Sequence, residues 1–169
     1  MALERLWAGW RSSYIEGIGS GEGVESASRS AGCLFCGLLE LDATEAMILE
    51  RTDHSFAVMN AYPYTSGHLM VAPNRHVSSI TDLNATEAAA LMHGTQRATA
   101  AIESAYRPEG INVGINIGRA AGAGIPGHVH VHVLPRWNGD TNFMTSVAEA
   151  RVLPESLDHS YAKLQAAWA

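Results

Sequence analysis

The sequence predicts an α+β fold with a mostly antiparallel sheet, and three observations carry that expectation. Histidine and valine alternate through His128-Val129-His130-Val131-His132-Val133, a period of two that belongs to a strand. One long segment beginning at Asn84 has apolar residues at helical spacing. The turn-forming run Tyr62-Pro63-Tyr64-Thr65-Ser66-Gly67 separates two short apolar segments, the pattern of an antiparallel pair. Strands, one long helix and then more strands suit α+β rather than a regularly alternating parallel sheet.

Each element can be justified in chain order. Residues 17–32 are rich in Gly and Ser and poor in apolar side chains, so they read as a mobile loop; too little chain precedes them for a separate domain. At 169 residues, one domain spanning residues 1–169 is expected. Phe56–Asn60 and His68–Ala72 read as strands. Asn84-Ala85-Thr86-Glu87 has the layout of a capping box, and Ala88, Leu91, Met92, Thr95, Ala98, Thr99 and Ile102 follow at helical spacing. Pro108 and Gly110 stop that helix. Ile111–Ile117 alternates Ile and Val with Asn and Gly and reads as a strand. A Gly- and Ala-rich loop, residues 118–127, leads into the histidine strand. From Pro154 to Ala169, Leu157, Tyr161, Leu164 and Trp168 fall on one face of a short helix.

Composition excludes several functions. No apolar run approaches the ~20 residues needed to cross a bilayer. Glu4, Arg5 and Arg11 interrupt any signal-peptide core, so a cytoplasmic protein is expected, with no membrane partner. A net charge of −6 argues against a general nucleic-acid binder, although a phosphate ligand needs only local donors. Two cysteines spaced Cys33-x-x-Cys36 do not make a disulfide framework. They are half of a tetrahedral zinc site, and a redox role lacks its βαβ context.

The alternation places His128, His130 and His132 on one strand face and Val129, Val131 and Val133 on the other, facing a core. A tag remnant is excluded by the interleaved valines. Three ligands at i, i+2 and i+4 of one strand do not close a tetrahedral metal shell. Imidazole is a good nucleophile towards phosphorus and is largely neutral near pH 7. The glycines of Gly118-Arg119-Ala120-Ala121-Gly122-Ala123-Gly124-Ile125-Pro126-Gly127 permit a close backbone approach to a phosphate, but the run lacks the Walker spacing.

His128-Val129-His130-Val131-His132-Val133-Leu134 resembles the histidine triad (HIT) signature. Leu6-Trp7-Ala8-Gly9-Trp10-Arg11, Cys33-Leu34-Phe35-Cys36, Asn60-Ala61-Tyr62-Pro63-Tyr64, Gly67-His68-Leu69-Met70-Val71, Asn112–Gly118 and Pro135-Arg136-Trp137 follow in the family's order. The longer pattern is similar to the bacterial branch associated with diadenosine tetraphosphate phosphorylase or hydrolase activity.

The resemblance implies a HIT-like fold, a five-stranded sheet with one long helix and short terminal helices, usually in a homodimer. It implies catalysis by His130 as nucleophile, with His132 on phosphate oxygens or the leaving group. The His128 backbone would orient His130 through Nδ1–H. Asn60 would bind ribose, and Asn116 would contact phosphate or the leaving-group side. His68 would lie near the nucleophile, Gly124 in the phosphate loop, and Trp137 against a second base or at a dimer interface. Where many relatives carry Ser, Thr or Gln, this chain has Gly124 and Ile125. The family pattern also implies His76 and His128 as partners of Cys33 and Cys36 in a structural zinc site; no organic cofactor is expected. Nucleoside phosphoramidase activity, and nucleotide binding without catalysis, are the alternatives.

Overall fold

The computed structural model describes residues 32–141 and 153–168. Residues 17–31 of the expected loop lie outside these. Five strands form one antiparallel sheet: β1 (Ile48–Arg51), β2 (Ser55–Met59), β3 (Leu69–Pro73), β4 (Gly110–Ile115) and β5 (Val131–Arg136), in the order β1-β2-β3-β5-β4. Among the described residues three α-helices accompany it: α1 (Leu34–Leu38), α2 (Ala85–Tyr106) and α3 (Leu157–Ala167). The α+β class and the five-stranded sheet are therefore as expected. No helix among the described residues is long and apolar enough to cross a membrane.

Several boundaries differ from the sequence reading. β1 was not anticipated: Ile48-Leu49-Glu50-Arg51 is short, and a bulge between Ile48 and Glu50 breaks its period. β4 ends at Ile115, so Asn116 follows the strand rather than lying in it. β5 begins only at Val131, leaving His132 alone of the triad within the paired ladder. The approach through Val129 is instead held by its amide, which donates to Val77 O at 2.7 Å.

The long helix starts where the capping box predicts. Glu87 N donates to Asn84 Oδ1 and Asn84 N to Glu87 Oε2, each at 2.9 Å. It stops at Arg107, which takes the left-handed conformation just before Pro108. Its buried stripe is rotated from the one expected: Glu87, Leu91, Gly94, Thr95, Ala98, Ala101 and Ile102 face inward, while Ala88 and Met92 are exposed. Gly94 explains the rotation. A Cβ there would sit 2.8 Å from Val71 Cγ1, so only glycine lets the helix lie this close to β3.

The central strands β2, β3 and β5 are buried on both faces. Under α2 and α3 lie Ala57, Met59, Leu69, Val71, Val131 and Val133, with Leu91, Ala98, Ile102, Tyr161 and Leu164 from the helices. On the other face Phe56, Val58, Met70 and Ala72 pack with Ile48 and with Cys33 and Phe35 of the α1 segment. His132 pairs with Met70 across the ladder and so shares this second face.

Candidate active site

Cross-strand pairing and the bend before β5 bring four imidazoles together. His128, His130, His132 and His68 are all buried. His130 and His132 meet edge to face at 4.8 Å between ring centroids, and His68 lies 5.1 Å from His132. His68 reaches this place because it precedes β3 after the Tyr62–Gly67 turn. Gly67 makes that turn with φ +78, and a Cβ there would collide with the Tyr106 ring at 2.7 Å.

Hydrogen bonds fix the proton position on each ring, and His130 differs from the other three. Pro73 O can only accept, so His128 Nε2, 2.8 Å away, carries hydrogen and Nδ1 keeps its lone pair. The same reasoning applies to His130. Its Nδ1 donates to His128 O at 2.8 Å, which leaves the lone pair on Nε2. The Tyr64 amide donates to His68 Nδ1 at 3.1 Å, so His68 Nε2–H donates to His132 Nδ1 at 2.9 Å. Neutral His132 then carries its proton on Nε2. The segment that enters β5 thus presents a lone pair on His130 and a donor on His132. Burial pushes His128 and His130 below the ordinary imidazole range, against the opposing effect of their carbonyl hydrogen bonds, so both rings are neutral near pH 7.

A second cluster adjoins the first. Ligand atoms of Cys33, Cys36, His76 and His128 all lie within 4.8 Å of one another. His128 Nδ1 is 3.4 Å from Cys33 Sγ and 3.8 Å from Cys36 Sγ, and His76 Nδ1 is 3.5 Å from Cys36 Sγ. Metal–ligand bonds of ~2.0–2.3 Å in a tetrahedron separate neighbouring ligands by roughly 3.3–3.8 Å, and the three N–S spacings fall in that range. The lone pair on His128 Nδ1 faces the sulfurs, as ligation requires. Burial and the adjacent Cys33 push the Cys36 thiol up to about 11, a shift that a cation among these groups reverses. The residues present therefore fit a metal ion.

The other anticipated residues are less tightly gathered. Asn60 is buried beside His68, its Nδ2 3.2 Å from His68 Nδ1, and its Oδ1 accepts from the Tyr62 amide at 2.9 Å. That turn-capping bond occupies one lone pair of the side chain expected to bind ribose. Asn116 and Gly124 are half-buried in the connection between β4 and β5. Trp137 meets Tyr106 edge to face at 6.1 Å.

Two residues near the triad were given no role from sequence. Tyr64 stacks on His132 at 5.9 Å and lies tilted against His68 at 4.7 Å. Phe35 packs its ring 4.8 Å from His130 and 5.2 Å from His128. Their signal was positional: Phe35 lies between the two cysteines and Tyr64 three residues before Gly67, but neither has the nucleophilic or metal-binding chemistry that singled out the histidines and cysteines.

Residues 42–139 match the HIT domain family. The chain belongs to the HIT family. Similarity extends beyond that domain: AP-4-A phosphorylase of Mycobacterium tuberculosis is 40% identical over 167 residues, which cover 99% of this chain and 85% of that protein. A bis(5'-adenosyl)-triphosphatase of Dictyostelium discoideum is 35% identical over 54% of this chain and 61% of its own length. Among solved structures, a Zn-bound histidine triad family protein from Mycobacterium smegmatis superposes with a TM-score of 0.65 at 29% identity, covering 80% of this chain and 91% of that one. The HIT match covers β1 to β5, the triad and His76, while Cys33 and Cys36 lie just ahead of it.

Proposed function

We propose that this HIT protein cleaves dinucleoside polyphosphates, with diadenosine tetraphosphate the favoured substrate, through a nucleotidyl group carried on His130. The observation that carries this reading is the 2.8 Å bond from His130 Nδ1 to its own chain at His128 O, which leaves Nε2 as the nucleophilic nitrogen. The near full-length similarity to a protein named AP-4-A phosphorylase supports the choice of substrate. His130 Nε2 attacks an α-phosphorus. The N–P bond forms as the bridging P–O bond breaks, and the rest of the polyphosphate leaves on that oxygen. His132 Nε2–H, set by the His68 bond, donates to phosphate oxygens or to the leaving oxygen. An acceptor then attacks phosphorus and the N–P bond breaks, restoring the imidazole. Asn60 holds the ribose, Asn116 and Gly124 face the phosphates, and Trp137 serves the second nucleoside or a subunit contact.

Zinc is the metal we assign to Cys33, Cys36, His76 and His128, in a structural role; bound there, it ties the amino-terminal segment to the sheet. Thiolate ligands suit a reducing compartment, and we place the protein in the cytoplasm. We read residues 1–169 as one domain working as a homodimer. β4 is an edge strand with Val113 and Ile115 exposed, which suits antiparallel pairing with a second copy.

The test is turnover of diadenosine tetraphosphate with and without inorganic phosphate. ADP plus ATP identifies phosphate as the acceptor, and AMP plus ATP identifies water. No turnover under either condition refutes the substrate assignment.

A further inference from the structure

We infer that Phe35, whose side chain is fully buried, is a positioning residue for His130 and joins the cysteine segment to the reaction. The inference rests on His130 being the nucleophile. The Nδ1 bond to His128 O anchors one corner of the imidazole, but a single hydrogen bond leaves the ring free to tilt about it. Two rings supply the remaining restraint. His132 meets one side at 73° and 4.8 Å, and Phe35 lies against His130 at 46° and 4.8 Å.

Phe35 is itself fully buried and has little freedom to move. Its ring also contacts His128 at 5.2 Å and Phe56 at 6.1 Å. It is carried on α1, a helix of five residues that is too short to be stable alone. Cys33 and Cys36, on either side of Phe35, hold α1 to the sheet through the Cys–His cluster. At the carboxyl end, Arg51 Nη2 donates to Leu38 O at 3.3 Å and Leu41 O at 2.6 Å. The two-residue spacer of the cysteine pair therefore delivers a flat apolar wall to the reacting imidazole. Small errors in the aim of a nucleophile are costly, so this wall acts on the rate of attack more than on binding.

Phe56 provides the control. It is as deeply buried as Phe35 and packs edge-on against it, while its ring contact is with Phe35 rather than with the triad. Phe35→Leu and Phe56→Leu both remove a ring from the same cluster while keeping most of the volume. In the metal-loaded protein, Phe35→Leu is expected to lower kcat by roughly tenfold to a hundredfold with KM nearly unchanged, and Phe56→Leu to leave kcat within about twofold. Metal content stays at the wild-type level in both. The hydrogen-bonded Nδ1–H of His130, followed by NMR of the labelled imidazole, exchanges faster with solvent in Phe35→Leu only.

Wild-type kcat in Phe35→Leu overturns the inference, as do equal losses of kcat in the two variants or loss of metal from Phe35→Leu. His130→Ala separates this from failure of the underlying reading. If His130→Ala is inactive while Phe35→Leu is normal, the positioning role alone falls; if His130→Ala turns over normally, the nucleophile assignment falls as well.

Discussion

The two faces of the sheet are built from the same strands and behave as different materials. Beneath α2 and α3, Leu69, Val71, Val131 and Val133 meet Leu91, Ala98, Ile102 and Leu164 in an apolar layer. Their burial contributes stability and asks nothing of direction. One residue further along each strand, the side chains turn to the opposite face, where His132 lies beside Met70 and His128 and His130 are buried next to Phe35. Burying polar rings is unfavourable unless each nitrogen finds a partner. Here Pro73 O, His128 O and the Tyr64 amide supply them, and each partner also decides where a proton sits. The first face can be repacked with little change of meaning, whereas the second encodes directions.

The largest effect that tests this contrast is expected at the centre of the histidine face. His130→Ala should reduce turnover of diadenosine tetraphosphate by about a thousandfold or more while the nucleotide still binds. A radiolabelled nucleotidyl–protein adduct, trapped in the wild type and absent from the variant, checks it. Turnover at the wild-type rate would break the contrast.

On the helix face the expected signature is reversed. Ile102→Ala should cost about 2–5 kcal/mol of stability, because a fully buried side chain leaves a cavity, yet kcat per folded molecule should hold. Denaturant titration together with an active-site titration measures both. A loss of kcat without a loss of stability would show that the two faces are not separable.

The metal cluster should behave as a stabilising fastening for the histidine face. If free metal is present at about a hundredfold its dissociation constant, binding contributes about 2.7 kcal/mol to the folded state. Chelation or Cys36→Ser should then lower Tm by ~5–10 °C in a domain of this size. Scanning calorimetry of chelated and reconstituted protein decides it, and an unchanged Tm would remove the fastening.

The smallest effect concerns the border between the faces, where Arg75, next to His76, is held by Glu87 at the start of α2. Hydrogen bonds from Arg75 and from the Asn84 amide lower the Glu87 carboxyl from 4.5 to about 2. A carboxyl depressed in the folded state stabilises above its unfolded value, and the contribution disappears as pH falls from about 4.5 to about 2. Glu87→Gln should therefore lower Tm near neutral pH and make the acid limb of Tm against pH shallower. The effect is small because the Arg75 side chain is 51% exposed and water screens the pair.

Much of this was legible in the chain because it depends on local period. The Val/His alternation separated the two faces, Asn84 and Glu87 announced the start of α2, and Leu157, Tyr161, Leu164 and Trp168 marked the last helix. The family pattern implies Cys33, Cys36, His76 and His128 as one set, and their ligand atoms do converge. β1 and the rotated stripe of α2 were not legible. The first is defined by its pairing with β2, and the second by how closely Gly94 lets the helix approach Val71.

The sequence by itself determined which side chains could share a face and which residue types could attack phosphorus or bind a metal. Both follow from covalent geometry and chemistry that each residue carries alone. Only the tertiary structure decided which nitrogen of each imidazole bears hydrogen, and that Phe35 lies against His130. Those outcomes depend on partners far apart in the chain, Pro73 with His128, His68 with His132 and Phe35 with His130, which meet only when the sheet and its covering segment close over them.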